Sequence, residues 1–600
     1  MRIRRLRIKH FRSVANGELL IPGHTAIVAG NSVGKSTVCE ALDLLLGPDR
    51  LSRAHPIDEH DFHGRQYLDD QKNPVLIELE VVLTNLTEDL ETKYRAHREY
   101  WDTESNTLLD EKDGIDDIES KSVVPALRVL FEGRYDIEED EFSAMTLFAS
   151  PPPENPENRS RVSRSAKRDF GFIYLRALRT GSRALSLERG SLLDIILRLK
   201  EEDRSEMWEQ TLQGLEHLDP PIDDIPQLKD VLDEIDGRVR RFVGLSDDDR
   251  SLRLYPSALT RDSLRKSMTL FGSSERSNTP VPYWRLGSGV INAIVFSLLT
   301  FIAELKRNVI FAMEEPELAL PPHTQRRIVQ FLQSRMDQAI LTTHSPFVLE
   351  QFEAQKVMMI ARDSNCQLSS QCIELEGIKA KAYKGGLRRT YAEALLGRGV
   401  LCVEGISDAE VLQTASSIIE KQSTPDKPYT PLDLSGVTIV RCEGDGELLK
   451  NGRFFGNLGF KTYAFFDKQK DEKAVAAISQ AFDRFLELEQ TGIERLLADS
   501  LPKKQIRKFL KKASKWIDYP NGKKFTFNKN DKEGEIRALA FRVLKARKGA
   551  GYAQRLIARC SYSELPKEVV ETLEKISADL PNDLPQFATS ESVEAGSDEA

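Results

Sequence analysis

Short apolar runs bounded by turn residues crowd both ends of this chain, and a charged, less periodic stretch lies between them. Near the start the pattern predicts strands over Ile3–Lys9, Glu18–Ile21, His24–Ala29 and Val75–Leu83. Between the last two, Val38, Ala41, Leu42 and Leu45 share one face of a helix that opens at Gly34-Lys35-Ser36-Thr37. From Thr84 to about Gly272 the sequence is charged and helix-prone, with a loop at Pro151–Pro156. No heptad is sustained there, so no long coiled-coil arm is expected, but residues 180–250 read as a helical arm or dimerisation insert. An apolar helix then runs over Ile291–Leu305, and Val309–Met313 and Ala339–Leu341 are continuous apolar runs, as central parallel strands are. The first domain is expected to close near Gly386. A second α/β pattern follows, with strands at Val400–Val403, Val437–Val440 and Tyr463–Phe466. The acidic, Ser-rich end, 588–600, reads as a disordered tail.

Composition narrows the class. With 40% hydrophobic and 30% charged residues among 600, and no apolar run of membrane-spanning length, the chain reads as globular, without membrane partners. Arg2, Arg4 and Arg5 are followed by no apolar signal region, and the six cysteines include no Cys-x-x-Cys pair. A cytoplasmic protein with reduced thiols is expected. The net charge of −9 conceals an asymmetry: residues 501–560 carry 18 Lys/Arg against 4 Asp/Glu, an excess of 14, which leaves −23 on the rest. A basic block in an acidic chain suits a polyanion, DNA first, met through its phosphate backbone. A solvated face is the plainer explanation.

Candidate chemistry begins at Ala29-Gly30-Asn31-Ser32-Val33-Gly34-Lys35-Ser36-Thr37. A strand, a Gly-bearing turn and a helix opening with Gly-Lys-Ser-Thr is the setting of a phosphate-binding loop. Backbone N–H groups surround the anion, Lys35 reaches the β/γ-phosphates and the Ser36 hydroxyl binds Mg²⁺. Asn31, Gly34 and Thr37 belong to the same loop. Ala29 stands where such loops usually carry their first Gly, which alanine can occupy at negative φ. Downstream, Val309–Met313 delivers Glu314-Glu315-Pro316-Glu317 to a strand tip, Glu314 for the metal and Glu315 to polarise the attacking water. His344 leaves the next strand at the same edge, suited to the γ-phosphate. Gly287-Ser288-Gly289 is a turn at a helix N-terminus, where Ser288 and Gly289 can meet an anion.

With these residues in place the chain resembles the ABC-type ATPases of the SMC, Rad-fifty and RecF kind. His10-Phe11-Arg12-Ser13 looks like their opening motif, which brings Arg12 to the nucleotide. Arg285-Leu286-Gly287-Ser288-Gly289 looks like their signature, Glu314–Glu317 like their Walker B, residues 318–323 like their D-loop and His344 like their switch histidine. The resemblance implies two heads sandwiching ATP, hence a homodimer or higher homo-oligomer. Gln66 and Gln71 are both candidates for the Q-loop glutamine.

A second set of carboxylates follows. Val400–Val403 delivers Glu404 to a strand end, Gly405 makes a tight turn, and Asp408 falls on the first helical turn; Tyr463–Phe466 delivers Asp467 to the same edge. Convergent strand-end carboxylates suit Mg²⁺ or Mn²⁺, while helix capping by the same acids is the competing explanation. This half resembles a Toprim domain, and with the ATPase head the chain is similar to the OLD (overcoming lysogenization defect) nucleases, whose relatives include anti-phage systems such as Gabija. The resemblance implies an α/β chain: an ABC/SMC-like ATPase domain with a helical insertion (1–385), then a Rossmann-like Toprim nuclease domain with a basic C-terminal region (386–587). It implies an ATP-regulated, metal-dependent DNA endonuclease with a helicase-like protein as a further partner, Glu494 as another metal-binding acid and Lys548 as the catalytic lysine. One departure is plain: Asp467-Lys468-Gln469 lacks the second Asp of Asp-x-Asp, and Gln469 offers a neutral oxygen, with Asp471 as a substitute ligand. The alternative is an ATP-driven DNA-binding scaffold with an inert second half. A primase or topoisomerase is disfavoured, since no zinc-binding cysteine set and no tyrosine-bearing partner domain can be identified.

Overall fold

Strands form at each apolar run singled out above. The computed structural model describes residues 1–579 other than 31–32, 49, 53–55, 110–121, 152–157, 177–184, 186, 188–190, 201–203, 217–224, 240–259, 275–276, 306–308, 318–319, 375–386, 443–444, 470 and 529–530. Asn31, the closure near Gly386 and the tail at 588–600 lie outside the described residues, as do most of the loop at 151–156 and the start of 318–323. The chain forms two compact units, Met1–Leu6 with Cys39–Thr342 and Arg7–Val38 with Thr343–Ala600. The first three strands are β1 (Arg2–Phe11), β2 (Val14–Leu20) and β3 (Thr25–Val28).

The unit containing 39–342 begins with antiparallel sheet. Its strands are β4 (Ile77–Thr84), β5 (Arg98–Asp102), β6 (Thr107–Leu108), β7 (Val123–Asp136) and β8 (Glu141–Phe148), with β7 paired to β4, β5 and β8. The helix-prone expectation for 84–272 is therefore corrected in its first half. The physical reason is that the charges there pair across strands: Arg128 on β7 donates to Glu99 on β5 at 2.8 Å and to Glu80 on β4 at 3.3 Å. Leu127, Val129 and Phe131, on alternate positions of β7, are buried on the opposite face. The second half is helical as expected, with helices at Leu192–Lys200, Arg204–Glu216 and Pro226–Val239. Next come β9 (Phe172–Leu175), the hairpin β10 (Phe271–Ser274) and β11 (Ser277–Pro282), β12 (Ile310–Glu314) and β13 (Gln338–Thr342). β12 lies between β9 and β13, parallel to both.

In the other unit, β14 (Val357–Arg362) and β15 (Gln367–Cys372) join the N-terminal strands in the order β2–β15–β14–β3. A separate four-stranded parallel sheet contains β16 (Gly399–Val403), β17 (Val437–Arg441), β18 (Lys461–Phe466) and β19 (Arg484–Glu487), in the order β17–β16–β18–β19. Helices cover it, among them Ile406–Glu420 and, from the basic block, Lys503–Ala513 and Glu533–Ala546. Ile506, Phe509, Leu510 and Ala513 of Lys503–Ala513 are buried while Lys508, Lys511 and Lys512 are exposed, so the basic block is a folded layer with a cationic outer side. All six cysteines are free thiols. Among the described residues no helix is long and apolar enough to cross a membrane.

Candidate active site

The four-stranded sheet gathers most of the acids read from its sequence. All five residues of β16 are buried, and its register with β18 pairs Val403 with Phe465, so Glu404 and Asp467 leave at one edge. The backbone N–H of Asp467 donates to Glu404 Oε1 at 3.1 Å, which joins the two strand ends. Gly405 turns the chain into the next helix, and Asp408 reaches back to accept from the Gly405 N–H at 2.9 Å. Asp408 is buried; its carboxyl is raised to about 7, first by burial, then by Asp467 and Glu494, against the opposing pull of Lys548 and the Gly405 N–H.

Glu494 enters from the first turn of the helix Ile493–Ser500 and is 5% exposed. Its Oε1 accepts no hydrogen bond and lies 4.0 Å from Lys548 Nζ. Gly492, at φ 137°, opens the space in front of it: a Cβ there would stand 3.3 Å from Glu494 Oε2 and 3.6 Å from Asp467 Oδ2, so the two carboxylates converge on one point. Lys548 leans over the Gly405 turn, where a Cβ would meet its Nζ at 3.7 Å. Gly549 makes that approach possible, since a Cβ at its φ of 75° would stand 2.8 Å from Ile406 Cγ2. Glu404, Asp408, Asp467, Glu494 and Lys548 thus meet in one place. Among the described residues, however, no three His, Cys, Asp or Glu side chains are gathered closely enough to form a ready-made cation cage.

Two residues on this edge take roles that sequence did not reveal. Gln469 presents its nitrogen: Nε2 donates to Glu404 Oε1 at 3.3 Å and to Asp467 O at 3.0 Å. Glu487, the last residue of β19, accepts from the Gln469 backbone N–H at 2.7 Å. The strand-end rule that found Glu404 applies equally to Glu487 after Phe485-Leu486. Asp471, considered as a substitute ligand, instead caps the helix Glu472–Ala481 by accepting from the Lys473 N–H at 3.0 Å.

The phosphate-loop residues lie in the same unit. Lys35 and Thr37 are buried, and Lys35 Nζ donates to the carbonyls of Ala29 and Gly30 at 2.8 and 2.9 Å. Gly34 has φ 133°, a conformation that suits glycine. Thr37 Oγ1 and Ser13 Oγ stand 3.3 Å apart, so the His10–Ser13 turn, with Arg12 at φ 52°, lies beside the loop. Ser36 is exposed, as is His344 beyond β13. Glu314 and Glu315 belong to the other unit. Tyr174, on β9 beside β12, donates its hydroxyl to Glu314 Oε1 at 2.7 Å; burial first, then Cys39 and Glu314, holds that hydroxyl protonated. No local signal in the sequence pairs residues so far apart. Glu315 has φ 45°, unusual for a side-chain-bearing residue, and its N–H donates to Thr342 O at 2.8 Å. Gly289 is exposed at the start of the helix Ser288–Leu305.

Residues 181–349 match the family model described as an AAA ATPase domain, and residues 1–118 match one described as a protein of unknown function (DUF2813). The Old nuclease of Escherichia phage P2 is 27% identical over 257 residues, 39% of this chain. The OLD nuclease of Thermus scotoductus is 24% identical over 427 residues, 68% of this chain and 72% of that protein. The chain is thus similar to OLD nucleases. The chain spans 42% of the length of the phage relative it matches. Among solved structures, an SMC head bound to the C-terminal winged-helix domain of ScpA matches over 63% of the chain at 12% identity and a TM-score of 0.35. The C-terminal region of the Burkholderia pseudomallei OLD protein matches over 31% at 13% identity and a TM-score of 0.24.

Proposed function

We propose that this chain is an ATP-regulated, divalent-metal-dependent DNA endonuclease of the OLD type. The ATPase domain (1–385) is ABC/SMC-like, and the Toprim nuclease domain (386–587) carries the cutting site. The observation that carries this reading is the strand-end pocket: four carboxylates and a lysine meet there, with Glu494 buried and its Oε1 accepting no hydrogen bond. Burial first, then repulsion from Asp467 and Glu494, lifts Asp408 to about 7, a cost that a divalent cation offsets. The donor set is hard oxygen, which fits Mg²⁺ or Mn²⁺ held by few protein ligands and completed by water and phosphate oxygens.

When bound, the cation supplies Lewis acidity toward a phosphodiester and a more acidic water. Glu404, Asp408, Asp467 and Glu494 hold it, and Lys548 neutralises charge that develops on the phosphoryl oxygens. In the ATPase half, Arg12, Asn31, Gly34, Lys35, Ser36 and Thr37 take the nucleotide, with Ser288, Gly289 and His344 at its γ-phosphate. Ser36 and Glu314 hold Mg²⁺, and Glu315 orients the attacking water. The exposed lysines of 501–560 guide the DNA backbone, the protein acts as a homodimer or higher oligomer in anti-phage defence or DNA processing, and a helicase-like protein is its further partner.

Plasmid nicking with Mg²⁺ or Mn²⁺ tests the reading. Glu404→Ala and Asp467→Ala should abolish cutting and leave ATP hydrolysis within about twofold, since the other site uses separate residues. If Glu404→Ala nicks as the parent does, the second half is not the nuclease and the scaffold reading replaces this one.

A further inference from the structure

The basic helix Lys503–Ala513 runs into a turn that carries an apolar side chain where folding gives no reason for one. The Trp516 N–H donates to Ala513 O at 2.8 Å and the Tyr519 N–H to Trp516 O at 3.1 Å, so Ile517 and Asp518 are the central residues of a tight turn. Such positions favour Pro, Asp, Asn, Ser and Gly, and a β-branched aliphatic gains nothing there. Burial supplies no reason either, since Ile517 is 106% exposed, the most exposed of the large apolar residues described. Isolated apolar residues on a surface are ordinary. This one is set apart by its mounting. Trp516 stands edge-on to Phe509 and Tyr552 at 5.8 and 4.8 Å, with the Arg555 guanidinium 4.5 Å over its ring. Asp518 accepts from the Tyr552 hydroxyl at 3.1 Å, and the Tyr519 hydroxyl donates to Phe525 O at 2.8 Å. The turn is therefore fastened on both sides of Ile517, and its anchor Tyr552 lies four residues after Lys548.

We propose that Ile517 is a wedge that enters double-stranded DNA between base pairs, so that this protein unstacks and bends the duplex it binds. Charge complementarity names the partner: residues 501–528 carry nine Lys/Arg against one acid, Asp518, which is already engaged by Tyr552. Lys511, Lys512 and Lys515 before the turn and Lys523 and Lys524 after it are all exposed, so cations flank the apolar tip on both sides in sequence. Phosphates meet the lysines, and an apolar side chain carried into the groove with them finds its burial between stacked bases. Opening a base step costs free energy, which a wedge on an already ordered turn offsets better than one on a mobile loop. The cost is least at pyrimidine–purine steps and at mismatches, so the substrate class is duplex DNA with a weakly stacked step. The proposal rests on the DNA-backbone role assigned to the basic block above and adds a contact that no phosphate explains.

Fluorescence of 2-aminopurine placed beside a single mismatch in a short duplex reports unstacking directly. Anisotropy of that duplex and of its fully paired counterpart gives the affinities. Full-length protein is used, with Ca²⁺ in place of Mg²⁺ to hold back cutting. The parent should brighten the probe and prefer the mismatched duplex about tenfold, the scale of burying one aliphatic side chain. In Ile517→Ala the brightening and the preference should both vanish, while Ile517→Leu keeps them; a side chain this exposed can be shortened with the core intact. The salt slope separates the wedge from the lysines. Ile517→Ala should leave it unchanged, because no phosphate contact is lost, whereas Lys511→Glu combined with Lys512→Glu should make it shallower. A parent without mismatch preference, an Ile517→Ala variant that retains it, or one whose slope falls as the lysine variant's does overturns the wedge and leaves the DNA-backbone reading standing. No binding by the parent, or an unchanged slope in the lysine variant, sinks the backbone reading and the wedge with it.

Discussion

Tyr174 reaches Glu314 from the neighbouring strand and donates to it at 2.7 Å, which orients the carboxylate assigned to Mg²⁺ before any nucleotide binds. Tyr174→Phe keeps the ring and removes that donor. The Mg²⁺ concentration needed for half-maximal ATP hydrolysis should rise about tenfold, as expected for one hydrogen bond to a charged acceptor. A magnesium titration of the ATPase rate reads this directly. Glu315 behaves differently: Glu315→Gln preserves shape and removes the base, so ATP should bind and persist, visible as retained nucleotide after gel filtration. Asp408 offers a pH test. Its folded value of about 7 lies above the ordinary carboxylate range, so between about pH 4 and 7 the native state holds a proton that the unfolded chain has lost. Stability of the metal-free protein should therefore fall as pH rises through that window, and Asp408→Asn should flatten the slope in chelator-treated thermal melts. None of this was visible in sequence at full detail. Asp408 was legible from its place after a strand and a glycine, but Tyr174 and the direction of the Gln469 amide depend on folding that joins distant segments.

The helix Lys503–Ala513 shows how an element serves two ends at once. Its buried face, Ile506, Phe509 and Leu510, packs into the core of the parallel-sheet half, and Phe509 meets Trp516 and Tyr552 edge-on at 5.8 and 6.2 Å. Phe509→Ala should cost about 3–5 kcal/mol, measured by denaturant unfolding. Replacing Lys508, Lys511 and Lys512 with Glu should instead leave stability nearly unchanged and weaken DNA binding alike for all sequences. The salt dependence should become shallower by about one unit for each phosphate that is no longer neutralised. An unchanged slope would assign these lysines to solvent. Elements were legible wherever burial was one-sided or complete: β12, β13 and β16 are continuous apolar runs because neighbours cover both faces. β5 to β8 were not, because charges such as Glu99 and Arg128 give the stretch the composition of a solvated helix while pairing across strands. Charge density reports exposure only when the charges have no partners.

At the scale of the whole molecule, Gly287 and Gly289 carry an argument about association. A Cβ at either would meet nothing within 4 Å, so packing of the described residues does not require glycine there. A close approach by nucleotide from a second copy supplies a reason. Light scattering of full-length Glu315→Gln should show a larger mass with ATP than without; a mass indifferent to ATP, while the parent hydrolyses it, would count against this. The order of the chain carries a different consequence. β3 ends at Val28, and its parallel partner β14 begins at Val357, 329 residues later. On a ribosome adding roughly 5–20 residues per second, the wait is about 16–66 s. Until β14 emerges the fully buried strand of the phosphate loop lacks this partner, and its apolar side chains face whatever binds nascent chains. The nucleotide loop therefore waits for a strand made 329 residues after its own.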